Sequence, residues 1–215
     1  MVNHRSYLDD TSNWHHLCHK LPKVITDDNP HFNDILLYII SSSSMARNRA
    51  LAIQQNFTSL DTQINSNIDT IINDLEQLGL NTSFGWLPYI PNENSWQQLF
   101  TKITIEQAIQ GAHCFARLFS IPFKQWTTDK LLYATGADDK LVNYYQQLHH
   151  IHNDNNVLQH NIRLAIASDV SPLKWDIMSN KYRLIELLSA RKLRDYLIVR
   201  QYVKTLDFII KIPFV

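Results

Sequence analysis

The feature that most constrains the fold is a series of apolar residues spaced three or four positions apart. That spacing places the side chains on one face of an α-helix. The series is Phe57, Leu60, Ile64, Ile68, Ile71, Leu75 and Leu78. Gly79 follows at a position where helices commonly end, because glycine tolerates the left-handed backbone of the terminating residue. The sequence therefore predicts one long amphipathic helix over about 47–79.

The scarcity of glycine also favours helices. Only four glycines occur in 215 residues, whereas tight hairpin turns and phosphate-binding loops need residues that accept positive φ. Neither strand-like alternation nor an internal repeat is visible. We therefore expect an all-α protein, with a single irregular helical domain over 1–215 and a helical C-terminal region.

Four stretches rich in serine, proline or polar side chains are predicted to be loops. They lie near 41–46, 81–95, 149–156 and 168–171. A helix is expected from 104 to 119 and should stop at Pro122, because proline lacks the amide hydrogen that a helix interior needs. Thr128 and Asp138 are expected to begin two further helices, since both residue types cap helix N-termini.

Charge and targeting features restrict the function. The 20 basic and 20 acidic side chains give zero formal charge, so no overall field attracts the chain to nucleic acid. No signal-peptide pattern is visible, and the apolar run 35–40 is far shorter than the ~20 residues of a membrane span. Cys18 and Cys114 are expected to be reduced thiols. We expect a cytoplasmic protein without nucleic-acid partners or direct membrane insertion.

Catalytic motifs are absent. The sequence has no Gly-x-Ser-x-Gly, no glycine-rich phosphate loop and no His-Glu-x-x-His. No glutamate has a histidine three residues later, as a di-iron carboxylate bundle requires. We predict no catalytic residue, cofactor or metal ion. The sequence leaves one metal question open, because His15, Cys18 and His19 would share a helix face, although structural zinc needs four ligands.

Basic side chains concentrate near the C-terminus. Residues 172–204 contain eight basic and three acidic side chains, a local charge near +5. One interpretation is a solvated helix that pairs with acidic parts of its own domain. The other is a docking face for an acidic protein partner. The residues that we predict for this face are Arg191, Arg194, Arg200 and Lys204.

Three groups of short features follow one another along the chain. The first comprises Tyr7-Leu8, Trp14, Leu21-Pro22, His31-Phe32-Asn33 and Leu36-Leu37. The second comprises Gly85-Trp86-Leu87-Pro88, Pro91, Leu99-Phe100-Thr101-Lys102-Ile103, Ala108, Gly111 and Cys114. The third comprises Trp175 and Arg183-Leu184-Ile185. In order and rough spacing they resemble the accessory sorting-platform proteins of type III secretion injectisomes, the SctK family. The long helix over 47–79 departs from that pattern.

The resemblance implies a non-enzymatic cytosolic adaptor that links the inner-membrane ring to the cytosolic pods. The partners that it implies are a SctD-like cytosolic domain of the ring and a SctQ-like pod protein. Such an adaptor would lie at the cytoplasmic face of the inner membrane through these proteins. Two alternatives stay open: a helical effector, toxin or immunity protein that binds a single target, and a histidine-based metal-binding enzyme. The sequence does not fix the partner or the oligomeric state.

Overall fold

The helical fold is seen in a computed structural model that describes residues 22–25, 30–60, 87, 90–91, 93–167 and 178–212. These residues form six α-helices and no strand, which confirms the expected all-α fold. The helices are α1 (Phe32–Leu60), α2 (Glu93–Phe100), α3 (Ile105–Tyr133), α4 (Asp139–Leu164), α5 (Asn180–Arg183) and α6 (Leu188–Lys211). Val24 and Ile166 form an isolated antiparallel bridge.

The four long helices make a bundle in which each helix packs against two others. Helix α3 packs on α4, α4 on α1, α1 on α6 and α6 on α3. Helices α1 and α4 are antiparallel, because the carbonyl of Tyr38 accepts a hydrogen bond from Asn161 at 3.4 Å while Arg49 pairs with Asp154 at 3.1 Å. Residue numbers therefore rise along α1 in the direction in which they fall along the neighbouring α4.

Helices α3 and α6 are antiparallel by the same reasoning. Asp129 of α3 pairs with Arg194 of α6, and the Phe119 and Tyr202 rings lie 4.8 Å apart between centroids. Since a short turn over 134–138 reverses the chain between α3 and α4, α1 and α3 point one way and α4 and α6 the other. This up-up-down-down order requires two long connections, which are the segments 61–104 and 165–187.

Aromatic side chains fill much of the single core. The rings of Phe123 and Trp126 stack at 4.5 Å, and Tyr202 of α6 meets Phe123 at 5.0 Å. At the other end of the bundle, Trp96 of α2 contacts Phe208 at 5.5 Å. Aromatic pairs of this kind add to the free energy that burial of their apolar area supplies.

Two helix starts follow the sequence closely. Thr104 caps α3 and forms a reciprocal capping box with Gln107. Asp138 caps α4 by accepting a hydrogen bond from the Leu141 amide at 2.8 Å, as expected. Gly136, at φ 76°, occupies the left-handed position of the turn between these helices.

The predicted loop at 41–46 is wrong, because this stretch lies inside α1. The Ser42 hydroxyl donates to the carbonyls of Tyr38 at 2.7 Å and Ile39 at 3.1 Å, within its own helix. Ser43 and Ala46 are buried, so small side chains at these positions let neighbouring helices approach closely.

The predicted stop at Pro122 is also wrong. Helix α3 continues through Pro122 and past Thr128 to Tyr133. An interior proline costs a helix about 3 kcal/mol, but α3 buries residues along its whole length, including Pro122 itself. Tertiary packing on α4 and α6 therefore outweighs the local preference.

The predicted loop at 149–156 lies in the middle of α4. Two of its polar residues, Asp154 and Asn155, are buried and face partners in the bundle, whereas His149, His150, Asn153 and Asn156 are exposed. The Asn155 amide donates to the Ala116 carbonyl at 2.9 Å, and Asp154 pairs with Arg49. Because Asn155 and one oxygen of Asp154 find partners across helix interfaces, these polar residues lie within a helix and not in a turn.

Two other predictions are only partly tested. Helix α2 begins at Glu93, inside the predicted loop 81–95. Residues 47–60 form the second half of α1, so the predicted long helix starts earlier than expected. Its remainder, 61–79, with most of the apolar series, lies outside the described residues, as does the predicted loop 168–171.

Candidate functional site

The four cations predicted to form a docking face do not share one surface. Arg191 and Arg194 are only 3% and 2% exposed, whereas Arg200 is exposed and Lys204 is half-buried. The prediction is therefore wrong for Arg191 and Arg194, which point into the bundle and find partners there. For Arg200 and Lys204 it stays a prediction.

Arg194 lies between two fully buried carboxylates. Its guanidinium contacts Asp129 of α3 at 2.6 Å and its sequence neighbour Asp195 at 2.6 Å. It also donates to the Tyr182 carbonyl at 2.9 Å, which ties the segment around α5 to α6. Burial alone would lower the pKa of Arg194, but the carboxylates of Asp195 and Asp129 outweigh it and raise that pKa above its ordinary value.

Asp195 connects this ion pair to two aromatic side chains. It accepts hydrogen bonds from the Trp126 indole at 2.7 Å and from the Tyr144 hydroxyl at 2.7 Å. Burial, followed by the Asp195 charge, holds the pKa of Tyr144 well above its ordinary value, so Tyr144 stays a donor. Since all these groups are buried and already paired, the cluster positions helices and offers no access to a substrate.

Arg191 fixes the segment before α6 against the end of α3. Its guanidinium carbon lies 3.6 Å from the Tyr133 ring centroid, a cation–π contact. The same group donates to the carbonyls of Ile185 at 3.1 Å and Glu186 at 2.6 Å. The segment 184–187 therefore lies beside the last turn of α3.

This arrangement brings four exposed leucines to one end of the bundle, where α3 ends and α6 begins. They are Leu131, Leu132, Leu184 and Leu187, with exposures of 70%, 65%, 71% and 67%. No other large apolar side chain among the described residues is as exposed. We call these four residues the leucine surface. An exposed apolar cluster of this kind is typical of protein interaction sites.

Charged side chains near the leucine surface are more often basic than acidic. The basic ones are Lys130, Lys140, Lys181, Arg183 and Lys192, and the acidic ones are Asp138, Asp139 and Glu186. The Lys192 ammonium lies 5.9 Å from the Tyr144 ring and the Lys181 ammonium 4.9 Å from the Tyr182 ring. Within a chain of zero formal charge, this end is locally positive.

Sequence reasoning missed the leucine surface. The sequence predicted only that a short helix begins at Thr128, whereas α3 runs through this position to Tyr133. The buried side of α3 in this region includes Trp126 and Asp129. A buried aspartate cannot be recognised from the sequence alone. The sequence therefore did not show which side of the helix is buried there and which is exposed.

The histidines form no metal site in the part of the chain that the structure describes, where no cluster of three or more potential ligands occurs. His15, Cys18 and His19 lie outside it, so their metal question stays open. His113 is buried in α3, and burial together with Arg117 and Arg163 lowers its pKa to about 4. It is therefore neutral at pH 7 and has no charge to contribute to a binding site.

Cys114 is buried in α3 and disulfide-bonded, in contrast to the expected reduced thiol. Its position in the core keeps the sulfur away from solvent and from external reductants. The other cysteine of the chain, Cys18, lies outside the described residues. The expected cytoplasmic location therefore gains no support from cysteine chemistry.

Comparison with known proteins gives no family assignment: no family model, curated protein or solved structure matches this chain. Among the described residues, no helix combines the length and apolar character needed to cross a membrane. The geometry of the leucine surface is thus the strongest functional observation on this chain.

Proposed function

We propose that this chain is a non-enzymatic adaptor that binds another protein through the leucine surface. The observation that carries the proposal is the exposure of Leu131, Leu132, Leu184 and Leu187 at one end of the bundle. Fully burying a leucine side chain stabilises a complex by roughly 1.5–3 kcal/mol relative to leaving it in water. Four neighbouring leucines can therefore supply a substantial part of a binding free energy.

The local charge suggests the chemistry of the partner. Basic side chains outnumber acidic ones beside the leucines, so a partner segment with apolar residues flanked by carboxylates would be complementary. The buried Arg194, Asp129 and Asp195 support a non-enzymatic role, because these strongly interacting charges are already committed to packing α3 against α6. They are inaccessible to a substrate.

A narrower form of the proposal places the adaptor in the cytoplasm, in a type III secretion sorting platform. Its support is the resemblance of three groups of short features to the SctK family. The partners would then be a SctD-like cytosolic domain of the inner-membrane ring and a SctQ-like pod protein. In that case the leucine surface would bind one of these two proteins.

The test is a quantitative pull-down of the tagged full chain from its native cells, with mass spectrometry of the recovered proteins. A double variant, Leu131→Glu with Leu184→Glu, places charges on the leucine surface. Its matched control is Arg200→Glu with Lys204→Glu, which reverses charge on α6 away from that surface. We expect a specific partner that the leucine variant loses and the control retains, with unchanged helix content in both variants.

The outcomes separate the alternatives. Recovery of no specific partner by the folded wild-type chain would contradict the adaptor proposal. A partner lost only by the Arg200 and Lys204 variant would assign binding to the α6 cations instead. Recovery of ring or pod components would support the sorting-platform form, and recovery of an unrelated partner through the leucine surface would reject that form alone.

A further inference from the structure

The disulfide at Cys114 of α3 has a use that the leucine surface does not explain. Cys114 is disulfide-bonded and 1% exposed, and the chain has one other cysteine, Cys18. We propose that Cys18 and Cys114 bond to each other and fasten the N-terminal segment to α3. The stability of the fold then depends on thiol oxidation, so the protein belongs in an oxidising compartment.

The burial of Cys114 decides between a bond within one chain and a bond between two copies. A disulfide between copies requires both sulfurs to lie at the surface, because the two Cα atoms must approach within about 7 Å. At 1% exposure, in a helix that packs on α4 and α6, Cys114 is closed to a second copy. Its partner is therefore the other cysteine of the same chain.

The residue Pro22 lies close to Cys114 on α3. The Gln110 side chain donates to the Pro22 carbonyl at 2.8 Å. Gln110 and Cys114 are four residues apart, which places them on one face of the helix and about 6 Å apart along its axis. Pro22 therefore lies about one helical turn from Cys114, on the face that carries it.

The spacing between Cys18 and Pro22 matches this distance. Cys18 precedes Pro22 by four residues, and four extended residues span at most about 14 Å. A disulfide needs Cα atoms about 4.4–6.8 Å apart. Cys18 is therefore within reach of Cys114 from the position of Pro22, without any change in the helices.

Backbone hydrogen bonds fix the residues that follow Pro22. The Ile25 amide donates to the Ala165 carbonyl at 2.8 Å. The Ala167 amide donates to the Lys23 carbonyl at 2.9 Å. These bonds hold the chain after Pro22 against the end of α4, so Cys18 is tethered close to α3 even before the disulfide forms.

The redox step is a thiol–disulfide exchange. Two cysteine thiols lose two protons and two electrons to oxidised glutathione, which leaves as two glutathione thiols while the S–S bond of the protein forms. The loop that the bond closes covers residues 19–113. A cross-link over so long a loop removes much conformational freedom from the unfolded chain, so the oxidised fold is the more stable one.

The first test counts thiols in the purified full chain after incubation with oxidised and reduced glutathione. Alkylation in denaturant without reductant should label no cysteine. Proteolysis should release one pair of peptides that joins Cys18 to Cys114 and separates on reduction. Two labelled thiols per chain, or a covalent dimer through Cys114, would overturn the proposal.

The second test compares the thermal midpoint of the wild type with that of Cys18→Ser, a variant that changes no residue of the described core. Dithiothreitol added in the unfolded state should lower the wild-type midpoint by roughly 5–15 °C on refolding. The same treatment should leave Cys18→Ser unchanged, at the value of the reduced wild type. An oxidised wild type no more stable than Cys18→Ser would contradict a stabilising cross-link.

The third test measures the state of the thiols in native cells, by acid quenching followed by alkylation. We expect the cross-linked chain. Free thiols in the cell would overturn the assignment to an oxidising compartment, whereas the cross-linked chain would reject the cytoplasmic form of the adaptor. Partner binding through the leucine surface is measured separately, so the failure of either proposal can be recognised on its own.

Discussion

At the scale of single residues, Arg194 joins more of the structure than any other cation described above. It connects α6 to α3 through Asp129 and to the segment around α5 through the Tyr182 carbonyl. A buried ion pair gives little net stability compared with an apolar replacement of the whole cluster, but removing one member leaves the others uncompensated. The cluster therefore restricts how α3 and α6 can pack.

Replacing Arg194 should be far more damaging than replacing an exposed arginine of the same helix. Arg194→Met leaves Asp129 and Asp195 buried without a cation, and we expect a loss of about 3–5 kcal/mol in the free energy of unfolding. Arg200→Met should change it by less than about 0.5 kcal/mol. Urea denaturation measures both values. Equal effects of the two substitutions would contradict the buried cluster.

His113 should make the stability depend on pH. Its pKa is about 4 in the folded chain and about 6.5 when unfolded, so the unfolded state binds more protons between these values. Stability is therefore present above pH 6.5 and falls as pH decreases toward 4, by about 2 kcal/mol between pH 7 and pH 5.

The control for this pH effect is His113→Gln, which should lose most of the dependence in that window. Burial raises the pKa of Asp154, and an acid with a raised pKa changes stability in the opposite direction. Comparing the variant with the wild type removes that contribution from the result. Parallel stability curves for the two proteins across pH 5–7 would show that His113 is not responsible.

At the scale of helices, the sequence predicted their presence better than their limits. The cap at Asp138 was predicted correctly, because its side chain bonds an amide three positions on, but Thr128, also predicted to begin a helix, lies inside α3. Pro122 and the serines 41–44 were misread because local preference favours a break at each of them. Contacts with helices distant in sequence decide the structure there, and a single sequence does not reveal such contacts.

Small buried residues of α1 provide a test of this close packing. Ala46 is fully buried, and Ala46→Leu should destabilise the bundle by about 1–3 kcal/mol through overpacking. Ala52 is exposed on the same helix, so Ala52→Leu should be nearly neutral. Thermal or urea unfolding compares them. If Ala46→Leu were as harmless as Ala52→Leu, α1 would not approach its neighbours as closely as described.

At the scale of the whole molecule, helix packing decides which charged and apolar side chains reach the surface. Basic side chains do outnumber acidic ones over 172–204, but not all of them reach the surface. Inside the bundle, Arg194 pairs with Asp129 and Arg191 donates to the Glu186 carbonyl. The leucine surface is formed by residues at the ends of different helices. The all-α fold was predictable from periodicity and glycine content, whereas this surface depends on which helices pack together.

The most direct test of partner binding through the leucine surface is hydrogen–deuterium exchange of the full chain, free and bound to the recovered partner. The account predicts slower exchange in the complex over 129–135 and 183–188, with no change over 198–206, where Arg200 and Lys204 lie. Slower exchange confined to 198–206 would contradict it and assign binding to the basic side of α6.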